Sequence, residues 1–260
     1  MSWIIKKSFI ALYCAIILYP GIIFPQNFII EKIPLTANMI DIPQGSFQMG
    51  SNDARRSEKP VHSVDIKLFK LAETEVTQQQ WKALIGTNPS KFVGCESCPV
   101  ERVSWNDIQQ YLKRLNRKTG KRFRLPSEAE WEYACRSAGK NQNYCGSNDR
   151  KEVSWYGRNS DQKTHPVKQK PPNELGLYDM SGNVFEWTQD CWNPNYQNAP
   201  ANGSAWTVGD CDSRVLRGGS WNSFSSPGFL RSVFRFRHSA DSRQFHVFGF
   251  RLAHDYIISE

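Results

Sequence analysis

Residues 214–253 read RVLRGGSWNSFSSPGFLRSVFRFRHSADSRQFHVFGFRLA. The stretch opens on a turn-rich block, Arg217-Gly218-Gly219-Ser220-Trp221, and closes on an apolar one, Gly249-Phe250-Arg251-Leu252-Ala253. Both read as strand ends pinned into a core. Between them the order dissolves. Residues 222–248 contain no Lys, Glu, Trp or Met, and Phe, Ser, His, Asn and Arg succeed one another with neither helical nor strand periodicity. A segment without a period presents side chains in every direction, so its phenylalanines cannot all be core. Part of it is predicted to be exposed aromatic surface, and exposed aromatics interleaved with Ser, Asn and Arg have the makeup of a paratope.

Outward from that segment, the 260-residue chain is 39% hydrophobic and 22% charged, an ordinary globular balance with ample material for a core. Its net charge of +8 is spread along the chain rather than gathered in a run, which argues against a nucleic-acid binder or a charge-driven membrane binder. Lys6 and Lys7 precede an apolar run over residues 9–24, the layout of a secretory signal, so residues 1–26 are predicted to direct export to the cell surface or periplasm. Cys14 follows Ala11-Leu12-Tyr13, a loose echo of a lipoprotein box, which makes a lipid anchor in the outer membrane the alternative to cleavage.

Apart from Cys14, the six cysteines form an even set in an exported chain, which favours disulfides. Proximity suggests Cys95 with Cys98, Cys135 with Cys145 and Cys191 with Cys211, although counting alone leaves the connectivity open. Gly94 and Pro99 place Cys95-x-x-Cys98 in a loop rather than at a helix start, against a redox thiol. No second Cys or His pair stands at zinc spacing.

After a lead-in over residues 27–38, residues 39–50 read as a hairpin and 61–71 as one further strand. Thr77 caps a helix over Gln78–Ile85. Ser104 or Asn106 caps the next, whose apolar face is Ile108, Tyr111, Leu112 and Leu115, with Gly120 as its stop. Ser127 and Glu130 form a capping box. Glu128, Glu130 and Glu132 follow as helix-start acids, read as caps and as surface or arginine partners rather than catalytic groups. Asp179 and Glu186 bracket a Gly182-Asn183 turn and could converge on a hard cation such as calcium. Few helices, short strands and much loop point to an α+β domain.

Together the blocks IPQGSFQMG, ETEVTQQQW, PVERVSWND, RLPSEAEWEYA, GLYDMSGNVFEW and RVLRGGSW through GFRLA resemble, in order, the family of formylglycine-generating enzymes, or sulfatase-modifying factors. They cover nearly all of residues 39–254. The resemblance implies a variant of the C-type lectin fold over residues 39–256, and it implies a calcium site formed by Asp179, Gly182, Val184 and Glu186. The family's oxidases hold copper on two cysteines flanking an aromatic-Arg-aromatic-Arg stretch. Here that stretch is Phe234-Arg235-Phe236-Arg237, and Val233 and His238 stand in the cysteine positions. Copper(I) needs soft thiolates, so no copper is expected and the chain leans away from being an enzyme. The histidine cluster of related iron enzymes is not found among His62, His165, His238, His246 and His254.

Within this fold, the composition of residues 222–248 is similar to that of variable proteins diversified by retroelements, with Gln244 alone outside the expected set. That resemblance implies a ligand-binding surface of Asn222, Ser223, Phe224, Ser225, Phe234, Phe236, His238, Ser242, Phe245 and His246. Arg231, Arg235, Arg237, Arg243 and Arg251 are read as structural, bonding carbonyls and carboxylates of a backbone that lacks ladder hydrogen bonds. The expected role is a non-catalytic, monomeric receptor or adhesin whose partner is a protein or glycan on another cell or host surface, without nucleic acid. A formylglycine-generating oxidase and an accessory subunit of an envelope assembly are the alternatives.

Overall fold

Each of the three longer helices begins where a hydroxyl meets the first free amides. Thr77 accepts from the Gln80 amide at 3.3 Å while the Gln80 side chain accepts from the Thr77 amide at 3.0 Å, closing a capping box at the start of α1 (Gln78–Ile85). Ser104 pairs likewise with Asp107 before α2 (Trp105–Thr119), and Ser127 with Glu130 before α3 (Glu128–Cys135). Gly120 ends α2 at φ 71°, a left-handed conformation that glycine adopts without steric cost. The predicted face of α2 is buried, and Tyr111 stacks on Trp81 of α1 at 5.1 Å. A fourth helix, α4 (Arg150–Val153), is a single turn.

These features belong to a computed structural model describing residues 34–224 and 227–256. The expected export signal, Cys14 and Ser225 lie outside the described residues.

Three β layers carry the rest. The first sheet orders β1 (Met39–Ile42), β4 (Phe69–Ala72), β10 (Ala253–Asp255) and β5 (Phe123–Arg124), each antiparallel to its neighbour, so the two ends of the domain meet in one sheet. A ribbon pairs β2 (Gly45–Met49) with β3 (His62–Ile66). The third sheet orders β8 (Phe236–Ser239), β7 (Asp210–Arg217), β6 (Phe185–Trp192) and β9 (Phe248–Gly249), with β6 and β9 parallel. Short helices beside these sheets make the α+β architecture expected.

Two strand expectations need correction. Residues 39–50 do not form a hairpin: β1 pairs with β4 and β2 with β3, in different sheets. Residues 61–71 form two strands rather than one, because the chain crosses from the ribbon to the first sheet at Lys67-Leu68, where Leu68 is 45% exposed. In both cases the alternation of apolar side chains is real, but it does not encode which remote strand completes the ladder.

The apolar interior falls into two clusters, one around Trp105, Trp187, Phe234 and Phe250, the other around Phe47, Trp131, Tyr133 and Met180. Disulfides join Cys95 to Cys98, Cys135 to Cys145 and Cys191 to Cys211, the three pairs that proximity suggests. The last ties β6 to the start of β7, the two strands on which the C-terminal segment is hung.

Candidate functional site

The segment between β7 and β9 has almost no ladder of its own, so its backbone must be satisfied by side chains. Arg217 does this directly, and two further buried arginines, Arg235 and Arg251, fasten the segment and its end to backbone and carboxylates elsewhere. Arg217, fully buried, donates to the carbonyls of Ser232 at 2.8 Å, Val233 at 3.2 Å and Phe234 at 2.8 Å, and to Glu132 of α3 at 2.6 Å. Arg235 grips Glu128 with two bonds of 2.6 and 2.8 Å, reaches the Ser57 carbonyl at 2.8 Å, and lies over the Tyr196 ring at 4.2 Å. Arg251 clasps Glu186 with two bonds of 2.7 Å and donates to the Ala72 and Tyr178 carbonyls at 3.0 and 2.9 Å. A planar guanidinium can hold several fixed carbonyls and one carboxylate together, which an ammonium cannot match. The helix-start acids of α3 are therefore buried arginine partners: Glu128 and Glu132 serve this frame, and Glu130 pairs with Arg124 at 2.7 Å. Arg231 joins the structural set through Glu58, whereas Arg237 and Arg243 are exposed guanidiniums paired with Asp210 and Asp107.

Held on that frame, the segment encloses an apolar depression of about 270 Å³. Asn222, Ser223, Phe236, His238 and Phe245 line it, five of the residues picked from the sequence. The His238 ring sits 4.6 Å from Phe245 and 5.3 Å from Phe248. Its Nδ1 accepts from the Ser239 amide at 3.0 Å, and burial lowers its pKa, so the ring enters neutral chemistry as an uncharged wall with Nε2 to offer. His246 stacks on Trp221 at 5.4 Å and meets the edge of Phe92 at 5.7 Å, and its pKa is lowered by burial and by Lys91 and Arg102. Phe224 is 45% exposed and Phe245 38%.

Two expected display residues are corrected. Phe234 is completely buried, because Arg217 bonds its carbonyl and draws its ring against Phe185 and Phe229. Ser242 is buried in the turn that its amide closes onto the Ser239 carbonyl. Ser223 lines the depression but is mostly covered, its hydroxyl accepting from the Ser220 amide at 3.1 Å. Sequence reading missed Phe185, Phe229, Val247 and Phe248, which complete the walls. Phe229, Val247 and Phe248 lay within the segment already singled out. Phe185 comes from β6, and nothing local marks it as a neighbour of the segment.

The metal readings can be tested on the donor atoms. Glu186 is an unsuitable calcium ligand here: Arg251 holds both its oxygens, and Trp131 donates a further 2.8 Å bond to one of them. Asp179 is buried, with one oxygen accepting from the Lys168 amide at 2.8 Å and the other unpartnered, and burial pushes its pKa up to about 6. Glu75 nearby is raised well above the carboxylate range by burial and by Asp179 and Glu186. Among the described residues no group of three His, Cys, Asp or Glu side chains is placed to hold a metal ion. The copper positions fit the metal no better. Valine offers no donor, and Val233 and His238 line separate cavities.

Residues 29–256 match the family model of the sulfatase-modifying factor enzyme 1-like domain. Among solved structures, Treponema denticola variable protein 1 is similar with a TM-score of 0.72 at 32% identity, over 84% of this chain and 95% of that one. PvdO from Pseudomonas aeruginosa is similar with a TM-score of 0.76 at 30% identity, over 85% and 95%. Among curated relatives, the chaperone protein LppX of Paenibacillus barcinonensis is 33% identical over 66% of this chain and 76% of its own length. The bovine inactive C-alpha-formylglycine-generating enzyme 2 is 30% identical over 72% and 77%. The chain spans only 39% of the length of the serine/threonine-protein kinase Pkn1 of Chlamydia trachomatis, at 31% identity. The expected fold subtype is thereby confirmed, and the chain belongs to the family of sulfatase-modifying factor enzyme 1-like domains.

Proposed function

We propose that this protein is an exported, non-catalytic ligand-binding protein that presents residues 222–248 as an interchangeable contact surface to a protein or glycan on another cell or host surface. One observation carries the reading: five residues picked from an aperiodic stretch converge on a single apolar depression. An aromatic concavity with a few polar rim groups gives contact area at little entropic cost. The likeness to Treponema denticola variable protein 1 over 84% of the chain supports it. So does the relative named as an inactive formylglycine-generating enzyme. Export by the first 26 residues completes the proposal, with cleavage of the signal or a lipid anchor at Cys14 in the outer membrane as its two forms.

Sequencing the gene from many clones of one strain tests the variable part. Changes clustered in codons 222–248 are expected, and a constant segment would instead favour an accessory subunit of an envelope assembly. Incubation of the purified protein with copper and a Cys-x-Pro-x-Arg peptide tests the catalytic alternative. No aldehyde is expected, and its formation would overturn the non-catalytic reading.

A further inference from the structure

A second, larger cavity, of about 640 Å³, lies beyond the Phe229 and Phe234 rings from the aromatic depression and shares no lining residue with it. Arg55 links the two regions: its guanidinium carbon lies 5.5 Å from the Phe229 centroid and 4.9 Å from that of Phe234, while the residue itself lines the larger cavity. Arg136 and Arg231 add two more guanidiniums to the wall, and Asn141, Gln142 and Asn143 form a run of three carboxamides. Only Ala54 and Val233 contribute apolar side chains, so the cavity suits a polar ligand better than an apolar one.

The charges there are incompletely balanced. Glu58 takes both terminal nitrogens of Arg231 at 3.0 and 2.8 Å, leaving its Nε without a protein partner among the described residues. Arg136 bonds the Gln48 and Lys140 carbonyls at 2.7 and 2.9 Å and Glu132 at 3.1 Å, leaving Nη2. Glu132 is shared, because Arg217 holds its other oxygen at 2.6 Å. Arg55 has no carboxylate within salt-bridge reach among the described residues and is instead steadied by the two rings beneath it. Asp53 is the one carboxylate in the lining. The Asn141 and Asn143 side chains have no protein partner among the described residues.

We propose that this cavity binds an acidic carbohydrate, with Arg55 meeting the sugar carboxylate, Arg136 Nη2 and Arg231 Nε donating beside it, and Asn141 and Asn143 meeting ring hydroxyls. A guanidinium preset over aromatic rings loses little freedom when it pairs with a carboxylate. Unpaired carboxamides offer a donor and an acceptor each, which suits hydroxyls that both give and take hydrogen bonds. A volume of about 640 Å³ holds more than one sugar ring. Of the proposed contacts only Arg231 lies within residues 222–248; Arg55, Arg136, Asn141 and Asn143 lie outside that segment.

The test is titration of the full chain with digalacturonic acid, followed by calorimetry and by chemical-shift changes. Saturable binding is expected, weakened about tenfold by Arg55→Ala, as loss of a charge-assisted contact predicts. Asn143→Ala should weaken it by a smaller factor, and Phe245→Ala should leave it unchanged. Arg55 is exposed, so a melting curve will show the variant to be folded. The proposal is overturned if digalacturonate does not saturate, if the neutral digalactose binds as well, if Arg55→Ala has no effect, or if acetate competes at the same concentration as the disaccharide. Loss of binding in Phe245→Ala would assign the sugar to the aromatic depression instead.

Discussion

Phe234 and Phe245 lie in one irregular segment and end in opposite surroundings, the first fully buried and the second 38% exposed. Neither residue differs in chemistry or in local periodicity. What differs is the backbone beside them: Ser232, Val233 and Phe234 offer their carbonyls to Arg217, and Arg235 is drawn onto Glu128 of α3, so this half of the segment is pulled inward. Past Phe236 the arginines, Arg237 and Arg243, are themselves exposed and pair with Asp210 and Asp107 at the surface, and Phe245 beyond them stays partly in solvent. A display surface is therefore separated from its support by which guanidiniums find buried acids, not by the pattern of phenylalanines.

The contrast can be broken most severely at its centre. Arg217→Ala removes a fully buried cation and strands one oxygen of Glu132 together with three carbonyls, so a loss of roughly 3–5 kcal/mol in a urea titration is expected, with ligand binding lost as the segment comes free. A change below 1 kcal/mol would show that the segment is held by other means. Next, Phe234→Ala should cost about 3–5 kcal/mol, as deletion of a large core side chain does.

A third effect separates frame from display by pH. Asp190, buried beside Glu128, is pushed up to about 7, first by burial and then by that neighbour. An unfolded aspartate titrates near ~4, so between about pH 4 and 7 the folded chain carries the extra proton. Stability contributed there is greatest at the acid end, falls as pH rises through the window and levels off above about 7. Asp179, at about 6 because of burial, acts with the same sign over a shorter range. A fall on the order of a few kcal/mol is expected across that range, at most ~1.4 per pH unit per group, read from urea midpoints at several pH values. Asp255, held low by its bond to Arg124, has the opposite sign but below the ordinary carboxylate range. Lowered pKa values keep His238 and His246 neutral at neutral pH, so binding by the aromatic face should change little from pH 7 to 8. The smallest stability effect belongs to Phe245→Ala, within about 0.5 kcal/mol. Its signature is in binding, where loss of an exposed aromatic anchor should cost tenfold or more.

Features whose partners lie close in sequence were legible. Thr77, Ser104 and Ser127 cap their helices because the amide each one accepts from is three residues away. The face Ile108, Tyr111, Leu112 and Leu115 is buried as its spacing requires, and the cysteines paired with their neighbours. The strands were legible as strands but not as pairs: β1 and β2 look like two arms of a hairpin, yet each is completed by a different remote strand. Of the candidate surface, Asn222, Phe236, His238 and Phe245 were found from composition, while Phe185 was invisible because only the parallel pairing of β6 with β9 brings it to the depression.

Short-range chemistry and the order of the blocks settle the domain type, the caps of the three longer helices and the region that holds the aromatic surface, and proximity suggests the disulfide pairs without deciding them. The tertiary structure decided which phenylalanines are covered, which arginines are structural and whether Glu186 is open to a cation. Each of those depends on a carboxylate or carbonyl far away in the chain, such as Glu132 for Arg217 or Glu186 for Arg251. A buried charge is stable only with its partner in place, so exposure along the segment is settled by contacts that no local pattern records.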